Sequence, residues 1–296
     1  MYRLDNIDGP WTPMNLVSWN IQWCRGVDGR VDPARIADAA RAFADFDVLC
    51  LQEVTVNFPG LPGNHGEDQL AELARALPGY TALFGAATDL GGASGQRRQF
   101  GNAIFTRLPV LQAFRHLLPW PPDPAVPSMQ RMALEAVVEW EAGRLRVICT
   151  HLEYYSTPQR LAQIDGLRRL HHEACMHAAH PRPAGDADGP FEAAARPTAA
   201  ILCGDFNFRP GSAEHAAVTA GFEDAATPAL LDAWSVAHPG QPHEITAGLY
   251  DPAWPEAYCC DFVFVSEDLS QLVEQVEVES RTQASDHQPL LLTVTV

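Results

Sequence analysis

Residues 200–207 read AILCGDFN, with Asp205 and Asn207 placed directly after an apolar run and a glycine. A short apolar run of this kind is typical of a buried strand. Open α/β sheets bind ligands at the carboxyl ends of their strands, where these two side chains would lie. A plainer interpretation stays open, because Asp205 and Asn207 can also form an Asx turn before a helix capped by Ser212.

Other apolar runs along the chain end in the same way. Asn20, Glu53 and His151 each stand at the end of such a run. Asparagine is a common turn former, and a lone histidine at a strand end is more often structural than catalytic. Glu53 is less ordinary, because an ionised carboxylate in a buried run requires a cation or several hydrogen-bond donors. Together with residues 200–207, these strands would direct amide, carboxylate and imidazole groups to one rim.

Apolar runs recur throughout the sequence and predict a protein rich in strands. The run from Met132 to Trp140 alternates strictly, with Glu135 and Glu139 on the face opposite the apolar side chains. Such alternation predicts a half-buried strand, and therefore sheets with one covered face. The predicted strands occupy residues 16–19, 48–51, 103–106, 132–140, 145–150, 199–203, 262–265 and 290–296.

Helices alternate with the early strands and predict an α/β protein. Asp32 can cap a helix that starts at Pro33 and ends before Val48. Apolar residues at helical spacing over 70–77 predict a second helix, and Thr157 begins a third.

Two stretches of the sequence lack a periodic pattern. Residues 85–99 are rich in glycine, and residues 178–198 carry several prolines and glycines, which predicts a surface insertion. Strands that belong together lie on both sides of each stretch. We therefore expect one domain over residues 1–296.

Composition narrows the class of protein. The chain has 296 residues, of which 47% are hydrophobic, enough for a large core. No apolar run reaches the roughly 18 residues of a membrane span. The N-terminal residues lack the apolar segment of a secretory signal. The seven cysteines are an odd number and cannot all pair in disulfide bonds, which fits a reducing compartment. The expectation is a cytoplasmic protein with no integral membrane segment.

The charge of the chain bears on its partners. The formal net charge is −17 and the 20 basic residues are all arginine. A strongly acidic protein repels polyanions over distance, so nucleic acid is not the obvious partner. Arginine forks suit phosphate oxygens, but a biased genome explains the absence of lysine more simply.

Several short motifs, taken in order, resemble those of the endonuclease/exonuclease/phosphatase superfamily, the fold family of pancreatic-type deoxyribonuclease and inositol-phosphate 5-phosphatases. The similarity extends from about residue 14 to residue 296. It implies an α/β (α+β) fold, a four-layered α/β/β/α sandwich of two packed mixed sheets with internal pseudo-symmetry. The motifs are residues 16–20, 47–53, 101–104, 150–152, 204–207, 261 and 285–287.

The resemblance also implies a role for each matching residue. Asp205 would orient or deprotonate the attacking water, His287 would stabilise developing charge or donate a proton, and Asp261 would fix the His287 imidazole. The implied catalytic residues are His151, Asp205, Asn207, Asp261 and His287. The implied ligands of Mg²⁺, or of Mn²⁺ as an alternative, are Asn20, Glu53 and Asp286, and the implied contacts to substrate phosphate are Asn102 and Arg131.

The chain departs from the family pattern at two positions. Gln22 stands where many members carry an acidic residue, which leaves the number of metal ions open. Cys259 precedes Asp261 by two residues, where arginine or histidine is frequent. Arg160 and Gln163 also match a family pattern, but on a helix such a pair is more often structural. Aromatic residues in 249–258 either border the pocket or simply pack a long loop, and packing is the simpler interpretation.

The function implied is hydrolysis of phosphate esters with Mg²⁺, as a phosphodiesterase that uses in-line attack by an activated water. The substrate could be a lipid headgroup, a small phosphodiester or nucleic acid, and no protein partner is implied. A nuclease acting on DNA or RNA is the alternative within the same chemistry. A catalytically inactive binding module of the same fold is the alternative of another class. A module that has lost turnover would be expected to lack Glu53, Asp205 or His287, and all are present.

Overall fold

The computed structural model describes residues 13–92, 95–181, 189–191 and 196–296. Within these residues, strands β1–β12 and helices α1–α5 account for the regular structure apart from short 3₁₀ turns. The strands are β1 Met14–Asn20, β2 Val48–Val56, β3 Thr81–Gly91, β4 Arg97–Thr106, β5 Val110–Leu117, β6 Met132–Trp140, β7 Gly143–His151, β8 Ala200–Asp205, β9 Leu230–Asp232, β10 Asp261–Ser266, β11 Val273–Val278 and β12 Leu290–Val294. The helices are α1 Pro33–Phe43, α2 Gln69–Ala76, α3 Thr157–Ala179, α4 Ala213–Thr219 and α5 Ala233–Ala237.

The strands form two mixed sheets of six strands each. The first has the order β11-β12-β1-β2-β4-β3 and the second the order β5-β6-β7-β8-β10-β9. In each sheet the third and fourth strands of this order, β1 with β2 and β7 with β8, pair in parallel. All other neighbours in both sheets are antiparallel. The two sheets thus repeat one pattern of strand directions.

Three apolar clusters show that the layers are α/β/β/α, as predicted. A central cluster lies between the sheets and joins residues such as Leu16 of β1 to Val147 of β7. A second cluster packs α1 and α2, through residues such as Ile36, on the outer face of the first sheet. A third packs α3 and α4, through residues such as Ile164, on the outer face of the second sheet. Burial of these apolar faces is the main force that holds the layers together.

The predicted helix starts are confirmed by their hydrogen bonds. Asp32 caps α1 by accepting from the backbone N–H of Arg35 at 3.1 Å, and Pro33 is the first helical residue. Ser212 caps α4 by accepting from the N–H of His215 at 3.1 Å. These are local interactions between neighbours in the chain, so the sequence pattern is enough to find them.

Replacement of Asp32 by alanine is expected to lower the free energy of unfolding by about 1 kcal/mol, because an N–H of the first turn of α1 loses its acceptor. Urea denaturation followed by circular dichroism measures the change. Asp38→Ala is the matched control, because its carboxylate lies on the same helix with a side chain that is 80% exposed. Equal destabilisation by both variants would contradict the capping role.

The interpretation of residues 85–99 as irregular is wrong for most of its length. Residues 85–91 belong to β3, and residues 97–99 begin β4, its antiparallel partner. The glycines serve close backbone approach: a Cβ on Gly101 would lie 1.9 Å from the carbonyl oxygen of Gly85. Glycine in a strand often marks such an approach or a bulge, and here the register shifts between Ala86 and Thr88. Residues 93–94 lie outside the described residues.

The predicted insertion at 178–198 lies partly outside the described residues, which omit 182–188 and 192–195. Helix α3 continues into it as far as Ala179, and residues 189–191 form a short 3₁₀ turn.

The prediction that Glu135 lies on an uncovered face of β6 is also wrong. Its side chain is 1% exposed and lies beside two buried arginines, Arg146 and Arg196. The second sheet is covered on both faces, and this stretch of its outer face is lined by paired charges.

All seven cysteines lie within the described residues, where they are buried and form no disulfide bond. None of the described helices is long and apolar enough to cross a membrane.

Candidate active site

The polar strand ends identified in the sequence meet at one edge of the sandwich. Asn20 and Glu53 come from the parallel pair of the first sheet, and His151 and Asp205 come from the parallel pair of the second. The Nδ2 atom of Asn20 donates to Asp205 Oδ2 at 2.9 Å and lies 3.4 Å from Glu53 Oε1. One amide group therefore bridges the two sheets at the centre of the site.

Glu53 is directed into the site by an irregularity in β2. Its φ angle is +64°, and the pairing of β2 with β4 shifts register between Leu51 and Val54. A non-glycine residue in this conformation carries strain, which is common at functional sites. The Glu53 Oε2 atom is buried and has no hydrogen-bond partner among the described residues. Burial, followed by the nearby Asp286 carboxylate, raises the pKa of Glu53 to about 7. Nearby cationic charge would relieve both effects.

Asp286 completes the acidic side of the centre. Its Oδ2 atom accepts from Gln22 Nε2 at 2.7 Å and from Trp254 Nε1 at 3.1 Å. The backbone N–H of Gln22 also donates to Asn20 Oδ1 at 3.0 Å. Gln22 therefore organises two of the three proposed metal ligands as a neutral donor, where an acidic residue would have added negative charge.

His287 and Asp261 form a hydrogen-bonded pair. The His287 Nδ1 atom lies 2.9 Å from Asp261 Oδ2, which also accepts from Thr246 Oγ1 at 2.7 Å. The other ring nitrogen, Nε2, faces Asp205 Oδ2 at 3.8 Å. Burial alone would lower the pKa of His287, but the carboxylates of Asp261, Asp205 and Asp286 raise it well above its usual value. The imidazole is thus held as a cation with one N–H directed at the centre.

The pKa of His151 is shifted in the opposite direction from that of His287. Burial, with Arg131 and His287 nearby, lowers its pKa well below the usual value. Asn207, whose φ angle is +54°, donates through Nδ2 to His151 Nε2 at 3.0 Å and to the Leu152 carbonyl at 2.9 Å. A nitrogen that accepts a hydrogen bond is unprotonated, so the neutral ring carries its proton on Nδ1. The site therefore contains one cationic and one neutral histidine.

The two residues predicted to contact substrate phosphate have different surroundings. Arg131 is buried, its Nε atom lies 3.5 Å from Glu153 Oε2, and its Nε and Nη1 atoms have no hydrogen-bond partner among the described residues. Burial lowers its pKa, while the charges of Glu153, Glu53 and Asp205 act in the other direction, which places the guanidinium near the centre. Asn102 instead donates to the backbone carbonyls of Met132 and Cys149, at 3.2 and 3.4 Å, and thereby links the sheets.

Two further residues support the site: Thr246, which sequence reasoning missed, and Ser285, which belongs to the 285–287 motif but had no role assigned. Thr246 holds the Asp261 carboxylate, and Ser285 donates to the Asn20 carbonyl at 2.8 Å. Thr246 does not lie at the end of an apolar run or in one of the family motifs, so no pattern in the chain marks it. Trp254, in the aromatic stretch 249–258, borders the site: its ring centroid lies 5.6 Å from that of His287, and its indole nitrogen donates to Asp286 Oδ2 at 3.1 Å.

Arg160 and Gln163 have the structural role that was expected of them. The Arg160 guanidinium donates to the carbonyls of Glu153 and Tyr154 at 2.8 and 2.9 Å, and Gln163 Oε1 accepts from the Glu153 N–H at 2.9 Å. Both residues therefore hold the loop that follows His151.

The fold is similar to that of solved structures from other organisms. An endonuclease/exonuclease/phosphatase from Beutenbergia cavernae DSM 12333 is 25% identical with a TM-score of 0.63, over 96% of this chain and 72% of that one. A mannosyl-6-phosphatase from Bacteroides thetaiotaomicron VPI-5482 is 20% identical with a TM-score of 0.64, over 96% and 99% of the two chains. A truncated TDP2 from Caenorhabditis elegans is 18% identical with a TM-score of 0.62, over 96% and 98%.

No curated protein matches this chain. The model of the Endonuclease/Exonuclease/phosphatase family matches residues 17–287. This match covers nearly all of the chain and includes every polar strand end described above. The protein therefore belongs to the endonuclease/exonuclease/phosphatase family, whose members hydrolyse phosphoesters.

Proposed function

We propose that this protein is a Mg²⁺-dependent phosphodiesterase that hydrolyses its substrate by in-line attack of an activated water. The observation that carries the proposal is the convergence of Glu53, Asp205 and His287 on one centre, through Asn20 and the contacts between the two sheets. In-line displacement at phosphorus requires positioned groups and neutralised charge, and needs no covalent nucleophile.

The acidic side of the centre fits a hard divalent cation. Asn20, Glu53 and Asp286 would hold the ion, because they present amide and carboxylate oxygens and Glu53 Oε2 is buried without a hydrogen-bond partner among the described residues. Mn²⁺ would suit the same oxygen ligands. When bound, the ion would neutralise charge on the phosphoryl oxygens.

The remaining side chains have the chemistry that hydrolysis needs. Burial and the neighbouring Asp261 carboxylate raise the pKa of Asp205 to about 6, which suits a general base that works near neutral pH. The cationic His287 would stabilise charge that develops on the phosphoryl group. Asn207 and the neutral His151 would hold nonbridging oxygens, with His151 close to the leaving group.

Charge favours a diester over the other phosphate substrates. Arg131 is the arginine placed near the described centre, and it is already paired with Glu153. A diester brings one negative charge, whereas a monoester near neutral pH brings close to two. Duplex nucleic acid is less favoured, because its affinity depends on many cationic contacts and the net charge here is −17.

The proposal predicts that bis(p-nitrophenyl) phosphate is cleaved faster than p-nitrophenyl phosphate, and that Mg²⁺ or Mn²⁺ is required. Release of p-nitrophenol with each metal, and with EDTA, measures both effects. Glu53→Gln is expected to lose about tenfold or more of the stimulation by Mg²⁺, because the ion loses a charged ligand. No metal-stimulated turnover of either compound by the wild type would favour the inactive binding module.

A further inference from the structure

A group of histidine and aspartate side chains that could bind a metal ion lies outside the proposed catalytic centre. His215 comes from α4, Asp232 from the end of β9, and His243 from the segment that follows α5. The Nε2 atoms of His215 and His243 lie 2.9 and 2.6 Å from the same oxygen, Asp232 Oδ2. All three ligand atoms are within 4.8 Å of one another.

The surroundings of this cluster are apolar and aromatic. The Asp232 side chain is 4% exposed, and the ring centroids of His215 and His243 lie 5.4 and 5.6 Å from that of Phe262. A buried carboxylate in such surroundings needs donors or a cation. The two imidazoles keep 15% and 12% of their side-chain surface, so the cluster is reached by solvent on one side.

We propose that His215, Asp232 and His243 form a binding site for a transition metal ion, with Zn²⁺ as the best match. Two imidazole nitrogens and one carboxylate oxygen are ligands that suit zinc, whereas Mg²⁺ prefers oxygen ligands alone. The exposed side leaves room for water as a fourth ligand. Ligands of a tetrahedral zinc ion lie roughly 3.3 Å apart, so binding requires the two rings to move outward slightly.

The position of the cluster gives the ion a structural role near the catalytic pair. His243 lies in the segment that leads to Thr246, whose hydroxyl donates to Asp261 Oδ2 at 2.7 Å and accepts from the N–H of Asp261 at 3.1 Å. An ion that ties this segment to α4 and β9 would also fix Thr246. The Asp261 carboxylate that holds His287 would then be more firmly positioned.

The first test is metal content and thermal stability. After incubation with Zn²⁺ and dialysis, the wild type is expected to retain one equivalent of zinc more than His215→Asn or His243→Asn. At about a hundredfold excess over Kd, zinc should raise the Tm of the wild type by roughly 5 °C more than that of either variant. The matched control is His238→Asn, because His238 lies in the same segment but donates to the Val276 carbonyl at 2.8 Å. Equal zinc content and equal Tm response in all variants would overturn the proposal.

A second test needs no variant and so does not depend on how the variants fold. Asp205, Cys260 and His287 also lie within 4.8 Å of one another and could bind zinc at the catalytic centre. X-ray absorption of the wild type loaded with one equivalent of Zn²⁺ separates the two sites. A shell with two imidazoles and no sulfur supports the proposal, and a zinc–sulfur distance near 2.3 Å overturns it.

Discussion

Asparagine in place of Asp205 is expected to lower kcat on a phosphodiester by about a thousandfold, with little change in the fold. The change removes the carboxylate that we propose as general base, and general-base catalysis contributes about 10² to 10⁴ in rate. An amide is similar in size and keeps an oxygen that can accept from the Asn207 N–H, which now lies 2.9 Å from Asp205 Oδ1. The loss should therefore be chemical rather than structural.

Steady-state kinetics with bis(p-nitrophenyl) phosphate at saturating Mg²⁺ measures this effect. Asp165→Asn is the control, because it removes a carboxylate that is 69% exposed on the surface of α3. His287→Asn should show a loss of similar size, and the double variant should be little worse than either single variant, because residues that act together are not additive. A variant at Asp205 that keeps wild-type kcat would rule out this residue as the base.

Glutamine in place of Glu135 is expected to lower the free energy of unfolding by about 3–5 kcal/mol. The Glu135 carboxylate contacts Arg196 Nη2 at 3.2 Å, Arg146 Nη1 at 3.9 Å and His116 Nε2 at 2.9 Å. Arg146 is fully buried, so loss of the carboxylate leaves its charge without compensation. Removal of one member of a buried charge cluster is costly for this reason.

Urea denaturation near pH 7 measures the loss, with Glu139→Gln as the control at an exposed position on the same face of the strand. The free energy of unfolding measured at decreasing pH provides a second test. Burial would raise the pKa of Glu135, but the hydrogen bond from His116 and the two arginine charges lower it overall. The stabilisation that the ionised Glu135 carboxylate gives is therefore complete above its unfolded-state pKa of about 4.3. This stabilisation is lost as the pH falls through the pKa of Glu135 in the folded protein. The wild type should lose stability on acidification more steeply than Glu135→Gln, and parallel curves would contradict the role of the charge.

Errors in the prediction of strands show where sequence patterns lose information. Four strands were not predicted, namely β3, β5, β9 and β11, and all four lie at the edge of a sheet. Edge strands bury less of their surface, so their apolar side chains do not alternate clearly. Gly85 was taken as a sign of a loop, whereas it faces Gly101 where two backbones approach closely. Only the pairing partner distinguishes these meanings of glycine.

Motifs of metal ligands in the sequence also failed to indicate the second metal site that we propose. The sequence contains no HxH or HExxH motif that would indicate a zinc site. His215 and His243 lie on separate segments, and Asp232 brings them together only because β9 pairs with β10 beside α4. No local pattern contains that information.

The sequence by itself determined the helix starts, the main strands and the polar residues at their ends, because capping, periodicity and strand-end position depend on neighbours in the chain. Its motifs also predicted the family. The tertiary structure alone decided which atoms share partners: the amide of Asn20 between two carboxylates, Thr246 behind Asp261, and Glu135 among arginines. Those contacts join residues distant in the chain, and they exist only once burial of the apolar faces has brought the two sheets and their helices together.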